Sequence, residues 1–332
     1  MGIKFRLIVM NFLQYAIWGS WLISLGAYLG GGLDFTGLQI GSFFATMGVA
    51  SLFMPAVMGI IADRWIPAQK LLGICHLVSG GFLIAAASQT AYGPLYSCML
   101  LSVMFYMPTI ALSNSVAYNA LDLARLDTVK HFPPIRVWGT VGFIAAMWFV
   151  DLTHIGGVQI KLTEWQLYVS AVLSFLLSVY SFSLPGCPVD RNVKARSWVD
   201  TLGLRAFTLF KEKRMAIFFV FSMLLGAALQ ITNAFGDSYI QSFGSMPQYA
   251  DSAIVKHSVI LLSLSQMSET LCILLIPFFL RRFGIKKVML ISMLAWVLRF
   301  GFFGVGNPGS GAAFRIPSMV VYGVTFDFFN IS

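Results

Sequence analysis

Charge is what this sequence has least of. Of its 332 residues only 11% are Asp, Glu, Lys or Arg, while 58% are hydrophobic. A soluble globular protein carries about 25% charged residues, so the composition excludes a soluble fold and indicates an all-α polytopic membrane protein. Phosphate-cradling sequence is also missing. No GxxxxGK[ST] run occurs, which excludes a P-loop ATP-driven pump. No HExxH occurs, which excludes an intramembrane metalloprotease of that kind. The four cysteines form no CxxC pair; Cys75, Cys98 and Cys272 fall in apolar segments and read as small buried residues, and Cys187 sits at a loop edge beside Pro188. The four histidines, His76, His131, His154 and His257, are scattered without ligand spacing. No metal and no cofactor is expected.

What the sequence does have is long apolar runs. Ten segments stand out, at residues 7–29, 40–62, 71–88, 95–117, 134–150, 165–184, 215–235, 258–280, 288–305 and 316–332. A helix of about 20 residues spans the roughly 30 Å of a bilayer core. The first run is too long for a signal-peptide core and lacks a small-residue cleavage site, so it reads as a membrane span. The net charge is +9. In a soluble protein that would suggest nucleic acid, but here the cations gather in alternate loops. Lys4 and Arg6, Arg64 and Lys70, Arg125 and Lys130, the group from Arg191 to Arg214, and Arg281 to Lys287 all fall on one side. Lys161, Lys256 and Arg315 are the chief exceptions. By the positive-inside rule this places the N-terminus in the cytoplasm.

The basic connection between the sixth and seventh spans carries Pro185 and Pro188. It also holds a possible amphipathic surface helix through Trp198, Leu202, Leu204, Phe207 and Phe210. The expected organisation is an N-terminal six-helix bundle over 1–186, a cytoplasmic linker over 187–214 and a C-terminal bundle over 215–332. A similar basic turn follows the second span of each half, GIIADRW in one and LRRFGIKK in the other. Two bundles related in this way are a mark of secondary transporters built from repeats.

Only two of the thirteen acidic residues sit deep within apolar runs, Glu269 and Asp327. A charge near the bilayer midplane costs at least ~3 kcal/mol on insertion scales, so each is a candidate functional group. Gln266 lies three residues before Glu269 and shares its helix face. Gln230 and Asn233 repeat that spacing in the seventh run. Both amide pairs also suit plain helix-to-helix hydrogen bonding. Arg136 follows Pro133-Pro134, where a helix is expected to start with proline in its first turn. Thr140 and Phe143 continue its stripe, so Arg136 either faces the interior with them or snorkels to the headgroups. Arg299, near the outer end of its span, reads as snorkelling. Tyr322 and Phe326 share a face beside Asp327. Amides, acids and aromatics together suit a neutral, polar, partly planar solute that stacks on a ring. A sugar or polyol would use the amides and the acid equally.

The run from Gly59 to Arg64, G-x-x-x-D-R, resembles the loop motif of the major facilitator superfamily, departing from it at Trp65-Ile66-Pro67. Four longer stretches carry a more specific likeness: Trp18-Gly19-Ser20-Trp21-Leu22, FPPIRVWGTVGF (132–143), KEKRMAIFFVFSMLLGAALQITNAFG (211–236) and YGVTFDFFNIS (322–332). Through them the chain resembles the bacterial nucleoside:proton symporter family. The resemblance implies a major facilitator fold of two pseudo-symmetric bundles, with ten of the usual twelve spans present. It implies proton-coupled import of nucleosides such as uridine, cytidine and adenosine across the inner membrane, by a monomer in the lipid bilayer with no nucleic-acid partner. It further implies that Arg136, Thr140, Phe143, Gln230, Asn233, Gln266, Glu269, Tyr322 and Phe326 face the substrate, and that Glu269 or Asp327 carries the proton.

Overall fold

The computed structural model describes residues 2–189, 210–309 and 312–330. The amphipathic stretch around Trp198 to Phe207 lies outside the described residues. The described helices are α1 (Ile3–Gly19), α2 (Leu25–Ala27), α3 (Gly37–Arg64), α4 (Ala68–Ala87), α5 (Tyr92–Leu123), α6 (Thr128–Leu152), α7 (Trp165–Ser181), α8 (Lys213–Ser242), α9 (Ala253–Lys256), α10 (Ser258–Val305) and α11 (Ala312–Asn330). Six of the described helices are long and apolar enough to cross a membrane. Every one of the ten apolar segments carries helix, and the fold is an all-α membrane fold.

Two boundaries depart from expectation. The first apolar run is not one helix. α1 stops at Gly19, and the chain turns through Ser20–Ser24 before α2 and a wide π-turn over Tyr28–Gly32. The Ile17 carbonyl, without its usual helical donor, accepts from the Ser20 hydroxyl at 2.8 Å and from the Ser170 hydroxyl of α7 at 2.9 Å. Side chains that satisfy a carbonyl in this way are what allow a helix to break inside a membrane. Second, α6 begins at Thr128, so Pro133 and Pro134 lie within the helix rather than in its first turn. Asp127 supplies the start signal by accepting the Lys130 N–H at 3.3 Å. The eighth and ninth runs are two helices, as expected: α10 is broken between them at Gly284, whose φ of 74° only glycine adopts cheaply. The basic residues from Arg281 to Lys287 cluster at that corner.

In the N-terminal half α1 packs on α6 and α7, α4 on α5 and α7, and α3 on α5. Small hydroxyls cement these contacts. Ser174 and Ser178 of α7 donate to the carbonyls of His76 and Gly73 on α4, at 3.0 and 2.7 Å. Such bonds between apolar helices replace the hydrophobic drive that lipid removes. A hairpin, β1 (His154–Ile155) against β2 (Val158–Gln159), follows α6 and turns through Gly156 and Gly157, both with positive φ. In the C-terminal half α10 folds back through α11. The halves meet where α6 packs on α10 and α2 on α8.

Candidate functional site

A cavity of about 440 Å³ lies between the two halves. Its N-terminal wall is Tyr15, Trp18, Leu22 and Ile23 from the α1 region and Phe132, Pro133, Arg136, Val137, Thr140 and Phe143 from α6. Its C-terminal wall is Leu229 and Asn233 from α8, Gln266, Glu269 and Thr270 from α10, and Tyr322 from α11. Ligand pockets for small molecules usually run to about 300–1,000 Å³, mostly apolar with a few convergent polar groups.

The N-terminal wall is held by close helix approach. A Cβ on Gly142 would strike the Phe12 backbone, and one on Gly19 would strike the Phe143 backbone. With α1 and α6 drawn together, the Arg136 guanidinium lies 3.8 Å from the Tyr15 ring centre. That cation–π contact keeps the charge inside the cavity instead of at the headgroups. Phe143 meets Trp18 edge to face at 6.4 Å, and Trp18 leans on Tyr106 at 5.9 Å. Tyr106 in turn donates its hydroxyl to the Gln14 carbonyl at 2.6 Å. The aromatic wall is therefore braced from behind by a buried polar group.

The C-terminal wall rests on a second close approach. A Cβ on Gly323 would strike the Ser268 backbone. The Ser268 hydroxyl donates to the Val320 carbonyl and accepts the Gly323 N–H at 3.2 Å. This pins α11 on α10 and turns Tyr322 toward the cavity. Behind Tyr322, the Arg299 guanidinium sits 4.2 Å from its ring centre and 5.2 Å from that of Trp296. Arg299 is 2% exposed, so it does not snorkel. Stacking on two rings gives it a partner within the bundle that headgroups would otherwise supply.

The structure brings Arg136, Thr140, Phe143, Asn233, Gln266, Glu269 and Tyr322 to one cavity. Arg136 and Glu269 stand on opposite halves of it, a guanidinium across from a carboxyl group, with no ion pair within 4.0 Å between them among the described residues. Gln230 is not among the lining residues; on α8 the lining positions are Leu229 and Asn233, four apart and thus on one helix face. The side chains of Phe326 and Asp327 lie outside the described residues. Sequence reasoning missed Tyr15 and Trp18. Trp18 stood in a quoted motif, and Tyr15 lies three residues before it on the same face.

Three comparisons bear on this geometry. A family model described as nucleoside H+ symporter matches residues 1–332. The chain is 54% identical to the xanthosine permease of Escherichia coli (strain K12), covering all of this chain and 78% of that protein. It is 48% identical to the nucleoside permease NupG of the same organism, with the same coverage. A crystal structure of the nucleoside transporter NupG superposes with a TM-score of 0.91 over 100% of this chain and 81% of that one.

Proposed function

The chain belongs to the nucleoside H+ symporter family, and from that premise we propose that it imports nucleosides with protons across the bacterial inner membrane, as a monomer whose N-terminus lies in the cytoplasm. It is a secondary transporter of the major facilitator fold and not an enzyme. The observation that carries the substrate reading is the cavity lined from both halves by aromatic and amide side chains. The base stacks on the aromatic wall of Phe143 and Tyr322. Gln266 and Glu269 take ribose hydroxyls, and Asn233 takes a polar edge of the base. The substrate enters from one side and leaves by the other as the halves rock about it. The basic loops at alternate helix ends support the orientation.

The test is uptake of labelled uridine into vesicles, with sugars and other nucleosides as competitors. Uptake is expected to rise with an inward proton gradient and to collapse with a protonophore. Strict sodium dependence, or competition by sugars alone, would reject the reading. The 54% identity to a xanthosine permease favours a second reading, in which xanthosine outcompetes uridine; the same competition series decides it.

The stack itself has a measurable consequence. Base–aromatic stacking contributes ~1–3 kcal/mol in other systems, and about 1.4 kcal/mol is one decade of affinity. Phe143→Ala should weaken nucleoside binding by roughly tenfold, read by calorimetry on the purified protein. Unchanged affinity after alanine substitution at both Phe143 and Tyr322 would remove the stacked base from the reading.

A further inference from the structure

We propose that Asp151, Lys161, His257 and Asp237 form a proton-binding latch that joins the two halves at the end of the molecule away from the basic loops. The proposal rests on the alternating-access reading above, because it assigns the part that must open.

The latch is built across the interface. Asp151 ends α6 and is 0% exposed; Lys161, just after the hairpin, is 1% exposed. The Lys161 ammonium donates to Asp151 Oδ1 at 2.6 Å, to the Lys256 carbonyl at 2.7 Å and to Ser258 Oγ at 3.2 Å. All three of its hydrogens are used, two of them on the other half. The second oxygen of Asp151 meets His257 Nδ1 at 2.7 Å. Ser258 relays the network by donating its hydroxyl to Asp237 Oδ1, while Gln241 donates to Asp237 Oδ2 at 2.8 Å. Nearby, the Trp148 indole N–H reaches Ser263 at 2.9 Å, and α2 touches α8 where Gly26 faces the Ala234 backbone.

Charge decides what this network needs. Two buried carboxylates face one buried ammonium. With both carboxyls ionised and a neutral imidazole the cluster would hold one uncompensated negative charge away from water, which is costly. One added proton cancels it. His257 is the member that both touches a carboxylate and has access to water. It is 39% exposed and lines an open recess with His154, Gln159 and Lys256. The remaining charges around it are accounted for. Lys256 pairs with exposed Asp251 at 2.8 Å, and His154 contacts the Leu152 carbonyl at 3.0 Å. Glu269 is twelve residues further along α10, about 18 Å away on a helix, so the latch is distinct from the cavity acid. A proton from outside therefore holds this end shut behind an entered substrate, and its loss favours opening.

The test is the distance between spin labels on cysteines placed at Thr90 and Gln248, both exposed at this end, one in each half. Cys98 and Cys187 are replaced, and the full chain is measured in detergent without cargo. The reading then depends neither on membrane orientation nor on what is carried, and a failure of the nucleoside assignment leaves it intact. The native protein should be closed at pH 5.5 and gain a longer-distance population at pH 8.5, with the closed-to-open ratio moving roughly tenfold, equivalent to about 1.4 kcal/mol. Lys161→Gln should be open at both values. His257→Gln should lose the pH dependence. Asp237→Asn, which removes the excess charge, should stay closed at both, an outcome that loss of a structural contact would not give. Retention of the native pH shift in His257→Gln, or opening of Asp237→Asn, would overturn the latch.

Discussion

Replacing Glu269 by glutamine is expected to abolish uphill nucleoside accumulation while leaving exchange at equilibrium intact. Each pH unit of gradient is worth about 1.36 kcal/mol per proton, or tenfold in concentration. A transporter moving one proton with each nucleoside should therefore concentrate its substrate about tenfold per unit, and the Glu269→Gln protein should stop at a ratio of about one. Coupling requires a group whose charge changes during the cycle. Glu269 lines the cavity with Gln266 and Asn233, facing Arg136 from the other half. Protonation removes its negative charge and with it the attraction to Arg136 across the cavity, so the balance between the halves depends on the proton. Glutamine keeps the shape and the hydrogen-bonding capacity but fixes the charge. Counterflow of labelled nucleoside and gradient-driven uptake, measured on the same vesicles, separate the outcomes. If both fall together, Glu269 binds ribose and does not carry the proton. If both persist, the carrier is another acid, and Asp327 becomes the position to replace.

Which parts of this were legible in the sequence follows from the kind of signal each leaves. Helix positions were legible because a bilayer demands long apolar runs and the basic loops must alternate. Glu269 was legible because a midplane carboxylate is costly wherever it points. The break after Gly19 was not, since the apolar run continues through it and the hydroxyl that takes the Ile17 carbonyl comes from Ser170, far along the chain. The spacing of Gln230 and Asn233 gives a shared face but not its direction, and the cavity took Asn233 with Leu229. Arg299 was read by a rule for helix ends, and the ring of Tyr322 on another helix overrode that rule. Lys161 and His257 read as an outer-loop cation and a stray histidine, because their common partner, Asp151, is set by the meeting of two halves and by no local pattern.

A single methyl group at Gly142 should cost more than the loss of any one cavity contact. The added Cβ would meet backbone atoms of Phe12, and backbone cannot rotate aside as a side chain can. α1 and α6 would have to separate. Overpacking an interior typically costs about 1–3 kcal/mol and occasionally more, and a clash with backbone belongs at the upper end. Separation would also strain the cavity wall, because the same interface sets the Arg136–Tyr15 and Phe143–Trp18 contacts. Small residues at a helix crossing in lipid work by permitting this closeness. Gly142→Ala is therefore expected to lower the melting temperature of the purified protein and to weaken nucleoside affinity by more than roughly tenfold. Gly81→Ala is the control: nothing lies within 4 Å of a Cβ there, and alanine favours the helix. It should leave affinity unchanged and stability equal or slightly higher. Native-like melting and affinity in Gly142→Ala would mean that α1 and α6 do not need this contact, and that the aromatic wall is positioned by Tyr106 and Gln14 alone.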